Sequence, residues 1–296
     1  MSSLDPISGI LNKIINDHIS GSGALQLQLT DELLTYLIDA PDLTDHEVKA
    51  LKKLFASFKK KMADFAILAH FSDHVMDHLP EGSGLSSADL YDFILAYRKQ
   101  WQQVNKQITE KFLDRVTLRN KRILLHSQSS VVRHLFRQLT NRKLNINIIQ
   151  TESRPMMEGR EQARYLAKLG YRVKIVTDTG FSPLLGVTDL VILGADRVYP
   201  DLFINKCGSH AITALSRKQD IPVYVLADSR KFTPAENGYN PLSEEEKPPD
   251  EVWKNPPEGI TPVNYYFESV PTRLVTSFIA ESYIIPGKEM PFFSIK

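Results

Sequence analysis

Several short apolar runs in the second half of the chain end in polar residues able to do chemistry. The run Arg122–Ser127 ends in His126-Ser127 and is followed by Gln128-Ser129-Ser130. Asn145–Thr151 leads into Glu152-Ser153-Arg154-Pro155 and then Glu158-Gly159-Arg160. Val173–Asp178 ends in Asp178-Thr179-Gly180, and Asp189–Ala195 in Gly194-Ala195-Asp196-Arg197, with Asn205-Lys206 shortly beyond. Pro222–Asp228 ends in Asp228-Ser229-Arg230-Lys231. Cations recur at Arg154, Arg160, Arg197, Lys206 and Lys231. Hydroxyls, helix-start amides and several cations on one rim suit a phosphorylated, polyhydroxylated ligand. A single such loop is an ordinary polar tip, whereas several that converge on one edge define a site.

Convergence depends on the elements between these loops. The apolar runs read as buried strands. Val131–Thr140, Gly159–Leu169 and Lys206–Gln219 read as helices, the second stopped by Gly170. Strands alternating with helices at this spacing make βαβ units and a mostly parallel sheet, with ligands beyond the carboxyl ends of its strands. A last strand is expected at Val263–Glu268 and a helix at Pro271–Ser282. Asn237–Gly259, with Pro248-Pro249 and Pro256-Pro257, reads as a long exposed loop, either a solvated insertion or a lid or subunit arm.

The first 115 residues differ, because their periodicity is helical. Leu29, Leu33, Leu34, Leu37 and Ile38 form one apolar stripe; Leu51, Leu54, Phe55 and Phe58 form another. A further helix is expected from Ser86 toward Phe112. The expected fold class is therefore α/β, a helical domain over residues 1–118 followed by a sheet domain over 119–296.

Composition narrows the function classes. The chain has 296 residues, 42% hydrophobic and 24% charged, which excludes a disordered or collagen-like chain. Lys+Arg is 36 against Asp+Glu 35, a net charge of +1, so no direct nucleic-acid partner is expected. One cysteine allows neither an internal disulfide nor a cysteine zinc cluster, which fits a reducing, cytoplasmic setting. No long apolar stretch spans a bilayer, and the N-terminal residues lack the pattern of a secretory signal.

The strings TESRPMMEGREQARYLAKLG, GADRVYPDLFINKCGSHA and LADSRKF carry a resemblance. Over residues 120–285 the chain resembles the superfamily of the α, β and δ subunits of eukaryotic translation initiation factor 2B, methylthioribose-1-phosphate isomerase and archaeal ribose-1,5-bisphosphate isomerase. The resemblance implies a helical N-terminal domain and a Rossmann-like sheet with helices on both faces, dimerised through the latter. It implies a small phosphorylated sugar or nucleotide as ligand, and no cofactor or metal. Asp196 stands at the isomerases' catalytic aspartate, and Ser127 where they carry a catalytic cysteine. Asn205 and Lys206 match their phosphate-binding pair, Arg154 their Glu-Ser/Thr-Arg-Pro arginine, and Lys231 the lysine before phenylalanine. Gln128 and Ser129 extend the first crest toward the phosphate. Gly21 and Gly23 echo an Arg-Gly-Ala phosphate loop without its arginine.

Two readings follow from the resemblance. In the first, the protein moves an aldose 1-phosphate to a ketose 1-phosphate, with Asp196 as acid/base. In the second, it is a regulatory subunit of a homodimer or hetero-oligomer, acting through contacts. Ser127 favours the second, because a thiol has a pKa near ~8.5 and a serine hydroxyl is a far weaker acid that needs a neighbouring base.

Other features have plainer readings. Cys207 is expected to be a small buried residue, although a helix start could lower its pKa. His70, His74 and His78 share one helix face, more simply a surface or interface helix than a metal site. Lys49–Lys61 reads as a solvated face, and Tyr265-Tyr266-Phe267 as core or dimer interface.

Overall fold

The apolar stripes of the N-terminal region form α1 (Asp5–Ile15), α2 (Ser22–Leu37), α3 (Asp45–Lys61), α4 (Ala66–His78) and α5 (Ser87–Trp101). The computed structural model describes residues 4–17, 20–233 and 246–293. Residues 234–245 lie outside the described residues; of the loop expected at 237–259 the part 246–259, with both proline pairs, is described and mostly exposed. The chain divides into two units, Met1–Gln103 and Val104–Lys296. In the first, Leu25, Leu29 and Leu33 of α2 pack in one core with Leu51, Phe55 and Phe58 of α3 and Phe71 of α4.

Local chemistry sets the helix ends. Thr44 Oγ1 accepts from the Glu47 amide, and the Glu47 carboxylate accepts from the Thr44 amide, closing a capping box on α3. Thr44→Ala is expected to cost about 1 kcal/mol, read by chemical denaturation. The lysines of α3 form surface pairs, Lys49 with Asp45 and Lys59 with Asp73. His70 and His74 stack with ring centroids 4.0 Å apart, His70 Nδ1 lies 2.9 Å from the Tyr97 hydroxyl, and His78 stacks on Phe93.

The second unit opens with α6 (Val104–Leu113), so the helix expected from Ser86 to Phe112 is broken after Trp101. Then follow β1 (Arg122–Leu125), α7 (Ser130–Leu139), β2 (Asn147–Thr151), α8 (Glu158–Lys168), β3 (Arg172–Val176) and β4 (Leu190–Leu193). The chain continues through β5 (Arg197–Val198), β6 (Leu202–Lys206), α9 (Ser209–Lys218), β7 (Val223–Leu226), β8 (Phe267–Pro271), β9 (Ser277–Ile279) and β10 (Ile284–Pro286). The main sheet has the order β10-β9-β7-β4-β1-β2-β3, parallel except for β10 against β9. β4 is buried along its whole length, as a central parallel strand with both faces covered must be.

Three expectations need correcting. Pro271–Ser282 is not a helix. A single 3-10 turn at Thr272–Leu274 leads into β9, which pairs in parallel with β7. Val275, Thr276 and Ile279 are β-branched, and burying Phe278 and Ile279 on an open sheet edge outweighs a weak helical pattern. The strand expected at Val263–Glu268 begins only at Phe267. Lys206 ends a strand rather than starting a helix, because α9 begins at Ser209. β5, β6 and β8 form a separate antiparallel sheet, with Asn205 opposite Glu268 and Lys206 opposite Phe267.

Candidate active site

The loops after β1 and β2 hold residues in a backbone conformation that favours glycine. Ser127 has φ 61°, Ser153 φ 63° and Met157 φ 58°. Left-handed non-glycine residues cost about 1–3 kcal/mol each and persist only where surroundings over-determine them. Here hydrogen bonds do so. The Ser127 amide donates to Ser153 Oγ at 2.8 Å, and Gln150 Nε2 donates to the Ser127 carbonyl at 3.1 Å. The amides of Ser153 and Arg154 donate to the Asp178 carboxylate at 2.7 and 2.6 Å.

His126 braces this loop from below. It is buried, and its Nε2 donates to the Cys207 carbonyl at 2.9 Å, which leaves Nδ1 to accept from Thr151 Oγ1 at 2.5 Å. Burial lowers its pKa, against opposition from the Asp178 charge. Gly208 lies against the ring: a Cβ there would sit 2.9 Å from His126, and its φ of +105° disfavours any side chain. The Cys207 thiol is pushed up to about 11 by burial and then by Glu268, so it stays protonated at neutral pH. That overturns a thiol activated by a helix start, because Glu268 Oε1 already accepts from the amides of Gly208 and His210 there.

The centre of the site is an ion pair. Lys206 Nζ lies 2.8 Å from Glu158 Oε1, and both side chains are buried. The Ser127 hydroxyl donates to the same oxygen at 3.1 Å. The ammonium also faces the rings of Tyr266 at 4.9 Å and Phe267 at 5.1 Å. The Tyr266 hydroxyl donates to Glu251 at 2.6 Å, and burial followed by that carboxylate raises its pKa. Tyr266 is buried, as the core reading expected, and its ring with that of Phe267 also faces the Lys206 ammonium, whereas Tyr265 is exposed.

Asp196 follows β4 and is half-buried. Burial raises its carboxyl pKa; Lys231 and Lys206 oppose the rise and the Glu158 charge adds to it. Lys231 Nζ donates to the Ala195 carbonyl at 2.5 Å, and burial lowers its pKa against the pull of Asp196 and Asp228. Two carboxylates and two ammonium groups therefore share one electrostatic neighbourhood with the Ser127 hydroxyl.

The remaining predicted residues lie at different distances from this centre. Asn205 is buried and donates to Ser209 Oγ at 2.8 Å, tying β6 to α9. Ser129 is the N-cap of α7 with no side-chain cap, so the first amides of α7 lack that acceptor. A Cβ on Gly194 would lie 3.0 Å from Ser129 Oγ, so the loops after β1 and β4 meet there. Gln128 is half-buried beside it. Arg154 is exposed, its guanidinium 3.3 Å from the Val252 carbonyl. Gly21 and Gly23 belong to the other unit: Gly21 is the N-cap of α2, and Gly23 lies in its first turn rather than in a loop.

Glu158 is the residue that sequence reasoning passed over. It appears in the crest after β2, just ahead of the helix expected at Gly159–Leu169, as one polar loop residue among several. The signal that places it is Gly159. A Cβ at Gly159 would lie 2.0 Å from the Thr151 carbonyl oxygen, so only glycine lets α8 start this close to β2. Gly159→Ala is expected to cost about 1–3 kcal/mol and to displace Glu158, read by thermal melting.

This geometry fits what the chain is similar to. Residues 43–287 match the model of the Initiation factor 2 subunit family, and the chain belongs to that family. It is 24% identical over 294 residues to ribose 1,5-bisphosphate isomerase of Methanocaldococcus jannaschii, covering 97% of this chain and 93% of that one. It is 33% identical over 150 residues to methylthioribose-1-phosphate isomerase of Dehalococcoides mccartyi, covering 48% of this chain and 45% of that one. Its fold matches the crystal structure of the Pyrococcus horikoshii OT3 translation initiation factor eIF-2B, with TM-score 0.79 and 22% identity over 95% of this chain and 97% of that one. No helix among the described residues is long and apolar enough to cross a membrane.

Proposed function

We propose that this protein is an isomerase of phosphorylated aldoses, converting an aldose 1-phosphate into the ketose 1-phosphate. The observation that supports this most is Asp196: a carboxyl held toward its acid form at the end of a central strand, beside Lys206 and Lys231. A sugar closed through C1 must open its ring and move hydrogen from C2 to C1, which needs acid/base groups on both sides. In this reading Asp196 protonates the ring oxygen. Lys206 and Lys231, with Asn205, Arg154 and the amides at Gln128 and Ser129, hold phosphate and hydroxyls. The near full-length similarity to a ribose 1,5-bisphosphate isomerase supports the substrate class.

Ser127 favours a second reading, because the isomerases that the chain resembles use a cysteine there. In it, the pocket binds a phosphorylated sugar or nucleotide without turnover, and the protein acts in the cytoplasm as a regulatory subunit assembled through its second unit. One experiment separates the two. Proton NMR follows ribose 1,5-bisphosphate, methylthioribose 1-phosphate and ribose 5-phosphate with the purified protein. Ketose signals above a no-protein control are the expected result. Line broadening without product would support the regulatory reading, and neither effect would overturn both.

A further inference from the structure

Replacing a thiol by a serine leaves one side of the sugar without a competent base, unless another group takes the role. A carboxylate stands next to that serine. Glu158 Oε1 is fully engaged, accepting from Ser127 and from Lys206. Its other oxygen, Oε2, is buried and has no hydrogen-bond partner among the described residues. A buried carboxylate oxygen without a donor is costly unless something on the ligand meets it. The arrangement around it is directional. The left-handed turn at Ser127 and the close start of α8 at Gly159 set the place of Glu158, whose Oε1 is held while Oε2 is buried without a donor.

We propose that Glu158 is the second acid/base group of this pocket, taking the role that a thiol at position 127 would have, with Ser127 and Lys206 positioning it. This rests on the isomerase reading, and the proton ledger closes with it. Asp196 starts as the acid and Glu158 as the carboxylate. Asp196 gives its proton to the ring oxygen as the C1–O bond breaks, and the electron pair of that bond becomes the new O–H bond. Glu158 Oε2 takes the proton from C2, and the C–H pair becomes the C1–C2 double bond of an enol that keeps its phosphate. Glu158 then returns the proton to C1, and Asp196 takes the proton of the C2 hydroxyl as the C2 carbonyl forms. Both groups end as they began, with no redox partner or metal consumed. A carboxylate is a proven class of base for removing a proton next to a developing carbonyl.

The test uses the full chain with the sugar phosphate that the unaltered protein isomerises, assayed by NMR in D2O. Glu158→Gln is expected to lower turnover at least ~100-fold, in the range for loss of one acid/base group, and to stop deuterium entering product C1. Line broadening of the substrate should persist. Should that variant fail to fold, Glu158→Asp keeps the charge opposite Lys206 but withdraws the carboxylate by one methylene; about a tenfold or greater loss is expected at an unchanged melting temperature. Ser127→Cys restores the thiol but weakens the hydrogen bond that positions Glu158, so no gain in turnover is expected from it. A rise of ~100-fold in Ser127→Cys, or unchanged turnover in the Glu158 variant that folds, would overturn the assignment and leave the isomerase reading standing. Absence of turnover in the unaltered protein with all three sugars would overturn that reading as well.

Discussion

On the isomerase reading proposed above, Asp196→Asn is expected to lower turnover by ~10²–10⁴-fold while leaving the protein folded and able to broaden substrate signals. Asparagine keeps the size of the side chain but removes the proton that the ring oxygen needs. The direction of the Asp196 shift gives the pH profile. Burial raises the carboxyl, and the Glu158 charge adds to this, against Lys231 and Lys206. The acid form therefore survives above the ordinary carboxylate range. A group that acts as an acid in the free enzyme loses activity as pH rises through its pKa. The kcat/KM profile of the unaltered protein is thus expected to fall on the alkaline side of that raised value, and the Asn variant to lack this limb. A profile whose limb persists in Asp196→Asn would assign the proton to another group.

His126 adds a stability counterpart with the opposite sense. Its folded pKa is lowered by burial, so the unfolded chain binds the extra proton first. Its contribution to stability is present above the ordinary histidine pKa of about 6.5 and is lost as pH falls from there through the lowered folded value.

Much of this site was legible in the sequence because a parallel sheet puts every strand's carboxyl end on one rim. Once the runs ending at Ser127, Thr151, Asp178, Ala195 and Asp228 are read as strands, Asp196, Arg154 and Lys231 follow as residues of the loops beyond them. What stayed hidden depends on pairing distant in sequence. β6 and β8 are joined across more than sixty residues, and only that pairing puts Lys206 beneath Tyr266 and Phe267. Neither strand has a periodicity that announces its partner. Glu158 stood just outside the helix expected at Gly159–Leu169, one polar loop residue among several, and only the structure puts it in the first turn of α8. β9 was misread because Pro271–Ser282 mixes apolar and polar residues at a spacing that suits a helix. The deciding term was an unpaired edge of β7, which no local pattern records. Burial of Phe278 against Phe203, with ring centroids 5.4 Å apart, then fixes the register.

Lys206→Met is expected to destabilise the second unit by about 3–5 kcal/mol, because it strips a buried carboxylate of its partner. Both ends of the Lys206–Glu158 pair are almost inaccessible, with 6% and 7% of the side-chain surface exposed, so water cannot take over the lost interaction. Methionine fills the volume of the lysine stem and keeps the contact with the Tyr266 and Phe267 rings. The loss therefore reports charge rather than packing. The companion variant decides the matter. Adding Glu158→Leu to Lys206→Met removes the stranded carboxylate and leaves two apolar side chains where the pair stood. Such replacements of buried pairs are often neutral or stabilising. Denaturant unfolding of the single and double variants is expected to show most of the loss recovered in the double. Recovery would mean that the pair contributes little net stability, so that its place in the fold is explained by the chemistry of the pocket. A double variant as unstable as the single would mean that the pair, with the Ser127 hydroxyl bound to it, is a structural strut joining β6 to the start of α8.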